Sequence, residues 1–185
     1  MASVLVPLAQ GCEELEAVSV VDLLRRAGIR VVTAGLDDQP VRASRGMVLI
    51  PDVTLSDVIG QEFDMIVLPG GEPGATNLGK DARVTGLLQQ MAQAGKYTAA
   101  ICAAPRVLAQ SGLLEGRHAT SYPGALEPDS VPGLKVVDTP VVIDGRVITS
   151  RGPGTAMDFA LQLIDVLVGK QKRAEVEAGL QRITR

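Results

Sequence analysis

The stretch Tyr97-Thr98-Ala99-Ala100-Ile101-Cys102-Ala103-Ala104-Pro105 reads as a buried strand that turns sharply into a helix. The apolar run before Cys102 has strand length, and Pro105 suits the first turn of a helix, where its missing N–H costs nothing. A thiol at that junction is expected to be surrounded by unpaired backbone N–H groups and the positive end of a helix dipole. Such surroundings lower a cysteine pKa and make a thiolate nucleophile. The plainer alternative is a small buried apolar residue, because free cysteine is among the most buried side chains.

Working outward, runs of strand length alternate with segments of helical period. Val4 to Leu8 is followed by a helical stretch from Glu13 to Ala27 that ends at Gly28, then by the run Ile29 to Ala34. Leu15, Val18, Val21 and Leu24/Arg25 approximate helical spacing, Gly28 stands where a C-cap belongs, and Arg25-Arg26 complement the C-terminal dipole. Phe63 to Leu68 and Tyr97 to Cys102 are two further strands, separated by a helix over Asp81 to Gly95. This βαβ alternation predicts an α/β fold: a doubly wound, mostly parallel sheet with helices on both faces. Hydrophobic residues make up 46% of the chain and aromatic ones 2%, so the core must be built from Val, Leu, Ile and Ala, the composition of parallel strands buried on both faces.

Val41 to Ile50, with Ser44-Arg45-Gly46 between two short β-prone runs, reads as a hairpin-like excursion. Val141 to Thr149, with Asp144-Gly145 between alternating apolar residues, is a stronger hairpin signal. Thr155 to Val168 has helical period and ends at Gly169, and Lys172 to Ile183 reads as a last, charged amphipathic helix on the surface or over a cleft. The 185 residues contain neither an internal repeat nor a linker-like stretch, so a single domain over 1–185 is expected.

With 18 basic and 21 acidic residues the formal charge is −3, which offers no field for holding a nucleic acid or an anionic membrane; neither partner is expected. Met1-Ala2-Ser3 leads into an apolar run without a basic region or cleavage-type spacing, and no apolar run approaches membrane-spanning length, so a soluble, cytoplasmic protein is expected. Cys12 and Cys102 are far apart and in no C-x-x-C spacing, which supports neither a disulfide framework nor a metal site and fits a reducing compartment.

In open α/β sheets functional groups gather beyond the carboxyl ends of the strands. Three segments end there: Gly11-Cys12-Glu13-Glu14-Leu15-Glu16, Pro69-Gly70-Gly71-Glu72-Pro73-Gly74, and Cys102-Ala103. They offer carboxylates, a glycine-lined backbone and a nucleophile. Gly70-Gly71-x-x-Gly74 is neither a Walker A loop nor a dinucleotide fingerprint; it is an ordinary turn unless it lies beside a nucleophile, where its N–H groups and that of Ala103 could meet an oxyanion. Acidic residues are favourable in any first helical turn, so the pattern alone does not choose among Glu13, Glu14 and Glu16.

Taken together, Glu13-Glu14-Leu15-Glu16, Arg25-Arg26-Ala27-Gly28-Ile29, Ser44-Arg45-Gly46, Leu68-Pro69-Gly70-Gly71, Ala99 through Pro105 and Thr149-Ser150-Arg151-Gly152-Pro153-Gly154-Thr155 resemble the DJ-one/ThiJ/PfpI superfamily over essentially the whole chain. The resemblance is to the branch that contains the parkinsonism-associated deglycase. It implies a flavodoxin-like homodimer, joined through the first helix with residues near Leu15 and Val18 exposed. It also implies Cys102 as the nucleophile at a strand-to-helix elbow, Glu16 as its hydrogen-bonding carboxyl, and an oxyanion site lined by Gly70, Gly71 and Ala103.

Where the human-type pattern has a histidine near the cysteine, this chain has Tyr122, a candidate substrate-site residue. The single histidine, His118, lies four positions earlier, roughly 13 Å along an extended strand. Ala103 stands where peptidase and amidotransferase relatives carry a histidine, so no Cys-His dyad can be assembled and those mechanisms lose their general base. Cys12 shares the rim and is a candidate resolving thiol. Arg26, Arg45 and Arg151 are either ion-pair partners or an anion pocket near a dimer seam.

The resemblance implies a cofactor-independent enzyme of the glyoxalase III or protein-deglycase kind, acting on small 2-oxoaldehydes or their adducts with amino groups. Metal, nucleotide and glutathione are not expected. The competing expectation is a redox sensor or stress chaperone, in which a reactive Cys102 climbs to a sulfinate held by a neighbouring carboxyl.

Overall fold

The protein is described from a computed structural model, which places residues 1–182. The first βαβ unit is β1 (Ser3–Leu8), α1 (Glu14–Arg26) and β2 (Arg30–Gly35). A small antiparallel pair follows, β3 (Val41–Arg42) with β4 (Val48–Leu49), and then β5 (Val53–Thr54) and the one-turn helix α2 (Leu55–Val58). The second half of the wind is β6 (Met65–Leu68), α3 (Gly74–Lys80), α4 (Ala82–Gln93), β7 (Tyr97–Ile101) and α5 (Pro105–Gln110). A short parallel pair, β8 (His118–Ala119) with β9 (Lys135–Val136), precedes the hairpin β10 (Val141–Asp144) and β11 (Val147–Ser150). The chain closes with α6 (Ala156–Val168) and α7 (Lys170–Gly179). Ile183, the expected end of the last helix, lies outside the described residues.

The central sheet has seven strands in the order β10-β11-β7-β6-β1-β2-β5. Every neighbouring pair is parallel except the hairpin β10–β11. Val4, Leu5 and Val6 of β1, Ile66, Val67 and Leu68 of β6, and Ala99, Ala100 and Ile101 of β7 are all wholly inaccessible, as strands covered on both faces must be. Crossovers between parallel strands are right-handed, so a connection running from β1 out to β2 and one running from β6 out to β7 the other way lie on opposite faces. Accordingly α1 packs against α6, and α3 against α4 and α5.

β1 and β6 are therefore neighbours whose connections diverge, which opens a crevice at their carboxyl ends. The pairing Leu68↔Ala100 between β6 and β7, carried two residues further, sets Gly70 beside Cys102. The expected excursion over 41–50 is a separate ribbon that folds over the start of α1. The Asp-Gly hairpin supplies the one antiparallel edge of the sheet.

Candidate active site

Cys102 is the residue at which β7 breaks into the turn before α5, and it has a φ of 65°. For a residue with a side chain this left-handed geometry is unfavourable, and here the backbone holds it from both sides. The Cys102 N–H donates to the Ser150 carbonyl at 3.0 Å, and the Cys102 carbonyl accepts from the Tyr122 N–H at 2.8 Å. The side chain is 8% exposed, so the sulfur stands at the edge of the core.

Position 70 lets the carboxyl reach the sulfur. A methyl group placed on Gly70 would stand 2.7 Å from Cys102 Cβ, 2.8 Å from Glu16 Oε2 and 2.8 Å from the Ile101 carbonyl oxygen, all closer than real contacts. Only a residue without a side chain fits between the cysteine and the glutamate. Gly71, at a φ of +86°, packs against the backbone of 11–13, where an added Cβ would lie 2.4 Å from the Glu13 nitrogen.

The three acidic residues at the start of α1 have separate tasks. Glu14 accepts from the Arg45 N–H at 3.0 Å and the Met47 N–H at 3.4 Å, and so ties the β3–β4 turn to the helix. Burial works against its charge, but hydrogen bonds from its own N–H, from Arg45 and Met47 and from the Ser44 hydroxyl hold the carboxyl below its ordinary range. Glu13 accepts from the Ser44 hydroxyl at 2.7 Å. Glu16 is wholly buried; its Oε2 accepts from the Gly70 N–H at 2.7 Å, and its Oε1 has no hydrogen-bond donor among the described residues. Spacing alone did not distinguish these roles, which depend on the loops that face each carboxyl.

Burial pushes the Glu16 carboxyl up to about 7, with the Gly70 N–H and the Cys102 thiol pulling the other way and the Glu13 charge adding to the rise. The Cys102 thiol is itself pushed up to about 12, first by burial and then by the negative charge and hydrogen bonding of Glu16, while the N–H groups of Gly71 and Ala103 lower it. This corrects the expectation of a thiol acidified by a helix dipole. α5 has only six residues, ending where the Ser111 hydroxyl bonds back to the Val107 carbonyl at 2.8 Å and Gly112 turns at a φ of 76°, so little dipole is available. The thiolate has to come instead from the pair: the charge that opposes it sits on a buried carboxyl that is itself prone to take a proton. Protonation of Glu16 would remove the second cause of the Cys102 rise and leave the N–H groups of Gly71 and Ala103 to favour the thiolate, so the two groups titrate as a coupled pair.

The other expected residues are distributed as follows. Gly71 and Ala103 are the residues whose N–H groups act on the sulfur, lowering the Cys102 thiol. Gly70 does not, because its N–H is taken by Glu16. Tyr122 adjoins the elbow through its backbone, but its ring is 54% exposed and rests near Gly152. His118 sits at the edge, its N–H on Asp144 and its Nδ1 3.6 Å from that carboxylate. Cys12 is wholly buried beneath Gly74, whose added Cβ would lie 2.6 Å from the Cys12 backbone. Within one chain the three arginines do not converge. Arg26, in the last turn of α1, pairs with Asp22, and Arg151 pairs with Asp138. Arg45 lies over the first turn of α1, about 18 Å of helix from Arg26. Ser150, whose carbonyl anchors Cys102, was not singled out from the sequence; a main-chain contact leaves no residue-type signal.

The site is a cysteine on a strained strand-to-helix elbow, paired with a buried carboxyl and two backbone N–H groups at the switch point of a flavodoxin-like sheet. It defines an α/β protein with a cysteine and a buried carboxyl brought together at the switch point of its sheet. The chain belongs to the DJ-1/PfpI family, whose family model matches residues 2–166. It is 46% identical over 180 residues to protein dj-1beta of Drosophila melanogaster, covering 96% of each. It is 39% identical over 171 residues to the glutathione-independent glyoxalase DJR-1.2 of Caenorhabditis elegans, covering 92% of this chain and 90% of that one. The crystal structure of Drosophila DJ-1beta superposes with a TM-score of 0.93 at 45% identity, covering 99% of each chain.

Proposed function

We propose that this protein is a glutathione-independent glyoxalase that uses Cys102 as nucleophile and Glu16 as proton carrier on small 2-oxoaldehydes such as methylglyoxal. The observation that carries the reading is the wholly buried Glu16 carboxyl, with one oxygen lacking a donor among the described residues, beside a cysteine held at positive φ. The Caenorhabditis elegans relative bears that activity in its name, which supports the same chemistry here.

The Cys102 sulfur adds to the aldehyde carbon while Glu16 delivers a proton to the aldehyde oxygen, forming a hemithioacetal. Any negative charge on that oxygen would develop toward the N–H groups of Gly71 and Ala103. Glu16, now ionised, takes the proton from the former aldehyde carbon to give an enediolate, the hydroxyl proton passes to the neighbouring oxygen, and Glu16 returns its proton to the neighbouring carbon, leaving the thioester of a 2-hydroxy acid. Water cleaves the thioester to lactate and restores the thiol. Each step needs Glu16 to gain and lose a proton near neutrality, and a carboxyl pushed up to about 7 can do both. The same steps on a hemiaminal formed with an amino group would make the protein a deglycase. A homodimer through α1 fits this reading, since Leu15 is 50% and Val18 44% exposed, and Val18 and Ile50 line one shallow cleft.

The direct test is lactate formation from methylglyoxal without metal or glutathione. Cys102→Ser should lower it by about a thousandfold or more, because a serine hydroxyl does not ionise near neutral pH; retained turnover in that variant would falsify covalent catalysis at Cys102. The second reading, a redox sensor, draws on the same unpartnered Glu16 oxygen. When protonated, it could donate to an oxidised Cys102 and stabilise a sulfinate.

A further inference from the structure

The two N–H groups that favour a Cys102 thiolate come from different segments. Gly71 belongs to the loop entering α3, and Ala103 to the turn entering α5. Something must fix the distance between them. Beside Gly71, the Glu72 carboxylate pairs with the Arg106 guanidinium from the first turn of α5. The same guanidinium donates to the Thr76 hydroxyl of α3 at 2.5 Å, and that hydroxyl donates to the other Glu72 oxygen at 2.9 Å. The three side chains close a ring from the Gly71 loop to the Cys102–Ala103 turn. Further along, α3 and α5 touch at Gly79, where an added Cβ would lie 2.6 Å from the Gln110 side-chain oxygen, so the ring ties the end of this seam that carries Gly71 and Ala103.

We propose that Arg106, Glu72 and Thr76 are positioning residues that hold the Gly71 and Ala103 N–H groups in register around the Cys102 sulfur. The inference rests on Cys102 being the reactive thiol and deepens that reading. Arg106 is 31% and Glu72 48% exposed, and an ion pair that open to water adds little to stability. Its use is geometric: the Arg106 Nη2 group meets both the carboxylate and the hydroxyl, and the hydroxyl in turn meets the carboxylate, which restrains the two segments as a single flexible contact would not.

The test is the rate of Cys102 alkylation by iodoacetamide across pH 6–10, read by mass spectrometry of the Cys102 peptide. It requires no turnover, so it stands whether or not the glyoxalase reading does. Thr76→Val breaks the ring without changing charge, and the double variant Arg106→Met with Glu72→Gln breaks it with the local net charge preserved. Both should displace the profile upward by roughly half a pH unit and slow alkylation at pH 8 about threefold, the effect of weakening one of two hydrogen bonds to a thiolate. Thr76→Ser, which keeps the hydroxyl, should retain the wild-type profile. A wild-type profile in both ring-breaking variants, or a Thr76→Ser profile displaced as far as that of Thr76→Val, overturns the proposal.

Discussion

Cys12 and Cys102 occupy equivalent places in the fold, each just beyond the carboxyl end of a core strand, and burial pushes both thiols up to about 12. They differ in which neighbours could relieve that rise. Around Cys12 the next contribution is Glu14, whose carboxyl is held below its ordinary range and stays ionised, followed by Glu13 and Glu16. Around Cys102 the charge is on Glu16, which burial already pushes toward protonation. Burial is the first cause of both rises; the second is a charge that stays ionised at Cys12 and one that can be protonated at Cys102. A buried cysteine becomes reactive when the group opposing its ionisation can itself be neutralised at working pH.

The widest test of this contrast sets two serine substitutions side by side. Lactate formation should disappear in Cys102→Ser and stay within about twofold of wild type in Cys12→Ser, a residue wholly buried with its backbone against the 70–74 loop. Comparable losses in both would place the chemistry across the two thiols.

Next in size is Glu16→Gln, which keeps the hydrogen bond from Gly70 and removes the titration. Turnover should fall about 100-fold, whereas Glu14→Gln should mainly loosen the 44–47 turn. The same variant has a signature in stability. Glu16 has its folded-state pKa raised from the ordinary 4.5 to about 7. The unfolded chain therefore ionises first, and the stability that the neutral carboxyl gives below about 4.5 is lost as the pH rises through about 7. At pH 8 Glu16→Gln should be more stable than wild type by up to about 2–3 kcal/mol, a gap that narrows toward pH 5. Denaturant midpoints at the two pH values check this; a gap that widens toward pH 5 would mean Glu16 is ionised and well paired.

Peroxide gives a milder version of the same comparison. Peptide mass spectrometry should find two added oxygens at Cys102 at least about ten times faster than any change at Cys12, since oxidation follows exposure and thiolate character. A Cys12–Cys102 disulfide as the main product would replace the sulfinate account with a two-thiol switch.

The smallest effect is expected at Tyr122. Its ring is more than half exposed and its hydroxyl makes no hydrogen bond among the described residues, so Tyr122→Phe should change turnover by less than about threefold. A larger loss in the same lactate assay would bring the hydroxyl into the proton path.

The order of strands and helices was legible because parallel strands buried on both faces leave continuous apolar runs, as in Val4 to Leu8 and Tyr97 to Ile101. The Asp144-Gly145 hairpin was legible because its turn demands those residue types. The electrostatics of the site were not. Glu13, Glu14 and Glu16 are equivalent in a first helical turn until the loops at 44–47 and 70–71 are folded over them. The short reach of α5 depends on Ser111 and Gly112 closing the helix after six residues. The Arg106–Glu72–Thr76 ring joins Arg106 to two residues about thirty positions away, and only Glu72 lies in a segment that stood out, where nothing marked its side chain.

The backbone geometry at Cys102 bears on why a cysteine stands there at all. A φ of 65° costs a residue with a side chain on the order of 1 kcal/mol that glycine would not incur. A chain selected for folding alone would place glycine at the elbow, as this one does at Gly28, Gly71 and Gly112. At position 102 the chain instead keeps a side chain at that local cost, so under the proposed function this is the point at which the needs of folding and of reactivity diverge.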